Sequence, residues 1–227
     1  MKSKLVRRLK PQEDELAAKR EELARLEVQL ADQFLQRAEE CFSVSVDRMW
    51  PYLKDGRYQE ANEDEQHCSL MKEYFLYLQR AVDSSPNYPK ALYELAKAYL
   101  KGFGVEEDGA QALRLLCRAG EFATAEELWE MSYDISEGVR DGVLRVEDMK
   151  VAERFCRKSA EQGHAGGQYN LGALYAKGGL FADGDSGLPR DRTLAMYWLR
   201  KAAENGEFPP AENEIRHLWK IGRRRAK

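Results

Sequence analysis

Three stretches of this chain repeat one another, and that repetition constrains the fold more than any other feature. Aligned on Leu95, Met131 and Leu171, each stretch next places a small residue: Ala96, Ser132 or Gly172. An anchor follows at Tyr99, Ile135 or Tyr175, then a glycine at Gly102, Gly138 or Gly178. A second helical period in each unit carries Ala112, Ala152 or Ala195. The glycines step by 36 and then 40 residues, the alanines by 40 and then 43. The surplus falls in the turns at 138–147 and 178–191, where extra length costs little chain entropy. One helix pair of this kind cannot bury its apolar faces alone, so it needs copies beside it. The small residues at 96, 132 and 172 let paired helices approach closely, as ridges packing into grooves require. The expected fold is all-α, an array of helix–turn–helix units. Residues 165–206 form the most regular unit, and Ile215, Trp219 and Gly222 begin a half-unit suited to a cap.

Ahead of the array, Pro11–Phe42 reads as one long helix. Leu16, Leu23 and Leu30 recur every seven residues, with Leu26 three after Leu23, while Lys19 and Gln33 interrupt the second seam. Two readings stand: a coiled-coil homodimer, or a long helix packed on the chain's own repeats. Pro51 predicts a break at Trp50-Pro51-Tyr52, because proline disfavours a helical predecessor. Asp55-Gly56 signals a turn, and Asn62–Glu65 a linker or cap. The predicted division is an N-terminal helical or coiled-coil region, 1–65, and a repeat region, 66–227. Within the latter, helices are expected at Cys68–Val82 and Tyr88–Lys101, and from an N-cap at Asp108 to near Ala119.

Composition narrows the function. No run of 18 apolar residues is present, so no membrane span is expected. Met1–Lys10 is basic but leads into acidic sequence, unlike a secretory signal. Cys41, Cys68, Cys117 and Cys156 are widely spaced without a CxxC pair, and there are three histidines. This predicts neither a metal site nor a disulfide framework, but reduced thiols in a cytoplasmic protein. Five basic groups in residues 1–10 and five in 220–227 leave −13 on residues 11–219, a body that should repel a phosphate backbone. His67, His164 and His217 lack a nucleophile at an informative spacing. Glu106-Glu107 and Glu147-Asp148 sit at helix starts, where the helix dipole accounts for them. Asp183–Gly187 resembles a calcium loop only in part, with glycine at a ligand position and Leu194 where the closing glutamate belongs. No catalytic residue, metal or cofactor is predicted.

Gln168-Tyr-Asn-Leu-Gly-Ala-Leu-Tyr-Ala-Lys-Gly178 and Ala195-Met-Tyr-Trp-Leu-Arg-Lys-Ala-Ala-Glu-Asn-Gly206 resemble the Sel-one-like repeat of the tetratricopeptide superfamily. Ser159–His164 resembles the end of the preceding unit, and Leu78–Pro86 is similar to the end of a tetratricopeptide unit. The resemblance spans about Tyr88 to Gly222. It implies a right-handed α-solenoid whose first helices line a concave groove. It also implies adaptor or scaffold roles, common in bacterial signalling, secretion and quality control, without catalysis. The expected function is a non-enzymatic scaffold binding a partner protein or peptide in that groove. One alternative is a bacterial immunity or chaperone-like protein that neutralises a cognate toxin or secreted effector. Another is a binder of nucleic acid or acidic surfaces through the basic termini.

The register names the groove. With Leu95, Met131 and Leu171 facing the core, their neighbours turn to the concave side. These are Tyr93, Lys97 and Lys101 in the first unit, and Glu126, Trp129, Glu130 and Tyr133 in the second. The third offers Tyr169, Asn170 and Lys177, and the half-unit His217. Tyr93, Trp129, Tyr133 and Tyr169 would form an aromatic line of the kind that carries interface energy. Core filling is the competing use for such rings, above all for Trp129. Lysines come first, glutamates second and a mixture third, which predicts a partner with an acidic stretch followed by a basic one.

Overall fold

The computed structural model describes residues 2–177, 189–206, 211–216 and 218, with the side chains of 2–13, 58, 61 and 62 left aside. The described residues form helices and connecting turns, with no strand among them. The chain divides into two compact units: residues 1–95 with 103–105, and 96–102 with 106–227.

The first unit is built on α1 (Lys2–Lys54), α2 (Tyr58–Glu63) and α3 (Glu65–Ser84). Ala31, Leu35 and Ala38 of α1 are buried, as are Met71, Tyr74, Leu78 and Ala81 of α3, and the two helices pack along these stripes. Phe42 stacks at 5.4 Å on both Tyr74 and Phe103. Gly104 lies at φ +73°, and a Cβ there would stand 1.9 Å from the Met71 carbonyl oxygen, so only glycine fits. Asp64 caps α3 by accepting from the His67 amide, and it takes two bonds from the Arg48 guanidinium at 2.5 and 2.8 Å. Ser45 Oγ lies 2.5 Å from His67 Nδ1. A fully buried leucine such as Leu78 contributes roughly 1.5–3 kcal/mol. An exposed pair such as Lys19–Glu15 contributes only about 0.3–0.5. Packing therefore holds α1 from Ala31 onward, and charge pairs merely decorate the part before it.

One expectation needs correction here. The long helix is not confined to Pro11–Phe42; it runs from Lys2 to Lys54, and Pro51 does not break it. Pro51 removes the bond to the carbonyl of Asp47, but both residues are exposed, so water can replace the missing donor. The ties at Ser45 and Arg48 hold the preceding turns against α3 and its cap. Termination falls instead at Gly56, φ +72°, where Gly56 and Arg57 amides donate back to Leu53 and Tyr52. Leu16, Leu23, Leu26 and Leu30 are exposed at 52, 55, 55 and 44%. The long helix packs on α3, within the predicted repeat region, through Ala31, Leu35 and Ala38 and not through these leucines.

The second unit is an α-solenoid. The end of α4 (Pro89–Lys101) leads into α5 (Gly109–Phe122) and α6 (Ala125–Arg140). A 3₁₀ turn at Val146–Asp148 follows, then α7 (Met149–Glu161), α8 (Ala165–Lys177) and α9 (Arg192–Gly206), and residues 211–216 are again helical. Asp108 caps α5 through the Gln111 amide, and Thr124 and Glu127 form a reciprocal capping box on α6. The repeat-equivalent anchors Met131 and Leu171 are fully buried, as are Ala96, Ser132, Ala112, Ala152 and Ala195. The small residues mark close approaches. A Cβ on Gly172 would lie 2.7 Å from Leu199 Cγ, and one on Gly167 would lie 2.3 Å from Ser159 Oγ. Neighbouring units are laced by polar bonds from buried side chains. Ser159 donates to the Ala125 carbonyl, and Gln168 donates to Ala160 while accepting from Asn205.

Candidate functional site

The first helices of successive units, α6 and α8, lie beside each other, with the end of α4 against α6. Trp129 occupies the contact between α6 and α8. A Cβ on Gly166 would stand 2.7 Å from Trp129 Cε2, and the His164 ring lies 5.2 Å away. Trp129 therefore fills a notch that Gly166 leaves open, and its half-buried ring is structural as well as available. Tyr133, one turn further on, is 43% exposed. Tyr169 is half-buried. Tyr93 is buried and belongs to the first unit. The aromatic line is thus not a continuous exposed ridge: Tyr133 is its exposed ring, because Trp129 is drawn into packing and Tyr93 into a core.

The predicted zones of charge are not separate either. Lys101 Nζ lies 3.0 Å from a Glu137 oxygen and 3.7 Å from Asp141. Burial works against the Lys101 charge, yet the bond to Glu137 and the charges of Glu137, Asp141 and Asp134 together outweigh it and raise its pKa. Lys97 lies in the field of Glu130, on the exposed side of α6. Partial burial, then the charge of Glu126, push the Glu130 carboxyl up, and Lys97 compensates only in part. Asp134, which the register did not single out, adds to this field and to that of Lys101. It stands one turn after Glu130, so a helical wheel would have found it. Four carboxylates, Glu126, Glu130, Asp134 and Glu137, thus face two lysines. The lysine zone is cancelled by its neighbours across α4 and α6, leaving this edge acidic.

On α8 the stripe that faces α6 runs Gly166, Asn170, Ala173, Lys177, at helical spacing. Asn170 is 6% exposed, and its Nδ2 has no hydrogen-bond partner among the described residues. Such a group costs about 1–3 kcal/mol when left unpaired. Lys177 pairs with Glu214. Tyr169 shares that environment: burial raises its phenol, Lys177 opposes the rise, and Glu214 adds to it. His217 and the Asp183–Gly187 loop lie outside the described residues. Among the described residues no cluster of metal-binding side chains occurs, and no helix is long and apolar enough to cross a membrane.

Residues 89–121, 130–164 and 165–207 each match the Sel1 repeat. Among solved structures, a Sel1 repeat protein from Oxalobacter formigenes is 22% identical, over 75% of this chain and 68% of that one, with a TM-score of 0.46. A protective antigen present in uropathogenic Escherichia coli strains, displaying an SLR fold, is 21% identical. That match covers 84% of this chain and 42% of the antigen, with a TM-score of 0.50, a likeness of fold.

Proposed function

The chain belongs to the Sel1 repeat family, and from that premise we propose that it is a non-enzymatic scaffold. Its groove face, built by α6 and α8 with the end of α4, binds an extended segment of a partner protein. Sel1 repeats generally mediate protein–protein interactions. The observation that carries the reading here is Asn170: a buried amide whose Nδ2 has no partner among the described residues, on the stripe between two first helices. A main-chain carbonyl or amide of a bound peptide would satisfy it. Tyr133 supplies an exposed ring one turn after Trp129, and the acidic edge favours a segment rich in lysine or arginine over the acidic-then-basic order expected from sequence. Lys97, Lys101, Tyr169 and Lys177 border this face, Trp129 shapes it, and Tyr93 lies outside the contact surface. Four widely spaced cysteines without a CxxC pair fit a cytoplasmic setting. Neutralisation of a basic toxin or effector would be a special case of the same binding.

Affinity capture with the full chain, followed by titration of peptides from the captured partner, tests this. Tyr133→Ala and Asn170→Ala are each expected to weaken binding by about 1–3 kcal/mol, with helical circular dichroism retained. Association should slow as salt rises. Undiminished affinity in both variants, or preference for an acidic segment, would place the interaction on another face.

A further inference from the structure

We propose that the N-terminal part of α1 pairs with the same segment of a second copy of this chain, antiparallel and centred between Leu23 and Leu26. Leu16, Leu23, Leu26 and Leu30 are about half exposed on a helix that is otherwise charged there. At 3.6 residues per turn their stripe lies roughly 100° round α1 from the Ala31–Leu35–Ala38 stripe that packs on α3. Folding of the first unit therefore leaves this seam uncovered. Among the described side chains, none from 14 to 30 is buried. An isolated helical segment of such length is marginal in water, and a covering surface would hold it.

A second copy fits for two reasons. The seam repeats every seven residues, the spacing that keeps a stripe facing a partner helix, and a two-fold axis makes it self-complementary. The charges then choose the direction. With Leu16, Leu23 and Leu30 as one core position and Lys19, Leu26 and Gln33 as the other, Arg20 and Glu27 flank the seam on one side, and Glu15 and Glu22 on the other. A parallel pair in register would set Lys19 against the partner's Lys19 and Glu22 against the partner's Glu27, which offsets its one favourable flanking pair, Glu15 beside the partner's Arg20. An antiparallel pair instead places Arg20 beside the partner's Glu27, twice by symmetry, and Leu23 against the partner's Leu26. Lys19 then meets the partner's Leu30 with its aliphatic stem, while its ammonium stays with Glu15 at 2.7 Å. The proposal is independent of the groove and gives the assembly two grooves.

Multi-angle light scattering of the full chain over a concentration series is the test. The 26.1 kDa chain is expected to approach a mass of about 52 kDa as concentration rises. Leu23→Asp with Leu26→Asp should return it to the single-chain mass without altering its helical spectrum. Direction is read by oxidative cross-linking against the unsubstituted chain. A mixture of Leu23→Cys and Leu26→Cys copies should cross-link, and Leu23→Cys alone should not. A single-chain mass at every concentration, a dimer indifferent to both aspartates, or self-cross-linking of Leu23→Cys overturns the proposal.

Discussion

The stretch of α1 before Ala31 and the whole of α8 are opposites. The first carries four large leucines and exposes them; the second is rich in glycine and alanine, yet nearly all of it is buried. Residue size alone would predict the reverse. The difference is the number of neighbours. Helix α8 has α6, α7 and α9 around it and must shrink its side chains to admit them, whereas the described residues of the first unit leave these α1 leucines exposed. In a repeat array, small residues report crowding, and large exposed ones report a surface still to be covered.

The largest effect is expected where α8 is tightest. Gly172→Leu would force atoms into Leu199, whose backbone nitrogen is already 3.1 Å from a Cβ at that site. Destabilisation of about 1–3 kcal/mol is expected, read as a lower denaturant midpoint. An unchanged midpoint would mean that α8 and α9 are not in this contact.

A second measurement sharpens where α1 begins to be held. The bonds from Arg48, then from the His67 amide, hold the Asp64 carboxyl at about 2, below its usual 3.8. A depressed folded value gives stability that is present above pH 3.8 and is lost as pH falls toward 2. In Arg48→Met the acid limb of the stability curve should be shallower across that window. An identical limb would show that this pair does not anchor the last turns of α1.

The smallest effect should come from the exposed seam. In dilute solution, where only single chains are present, Leu23→Ser should alter stability by no more than about 0.5 kcal/mol. A large loss would mean that the leucine is covered within its own chain, and the contrast with α8 would fail.

Much of the fold was legible in the sequence because its cues are local. The Gly166–Lys177 period, the Asp108 cap, the Asp55-Gly56 turn and the buried anchors Met131 and Leu171 each depend on residues within a few positions. The candidate site was legible only in outline. The register found Tyr133, Glu130 and Asn170, but it could not see that Asn170 Nδ2 lacks a partner among the described residues. It missed Asp134, and it counted Tyr93 as surface although it is core.

By itself, the sequence determined the repeat, its helical pairs and the small residues that let them meet, since spacing and side-chain volume are properties of the chain alone. Tertiary structure decided which way each doubtful residue was used. Pro51 stayed helical because neighbours hold the turns around it and water reaches the orphaned carbonyl. Trp129 became a packing ring because Gly166, more than thirty residues away, leaves room for it. Lys101 was neutralised by Glu137 from the next unit. In each case exposure or charge is set by a group distant along the chain, and periodicity carries no information about which distant groups will meet.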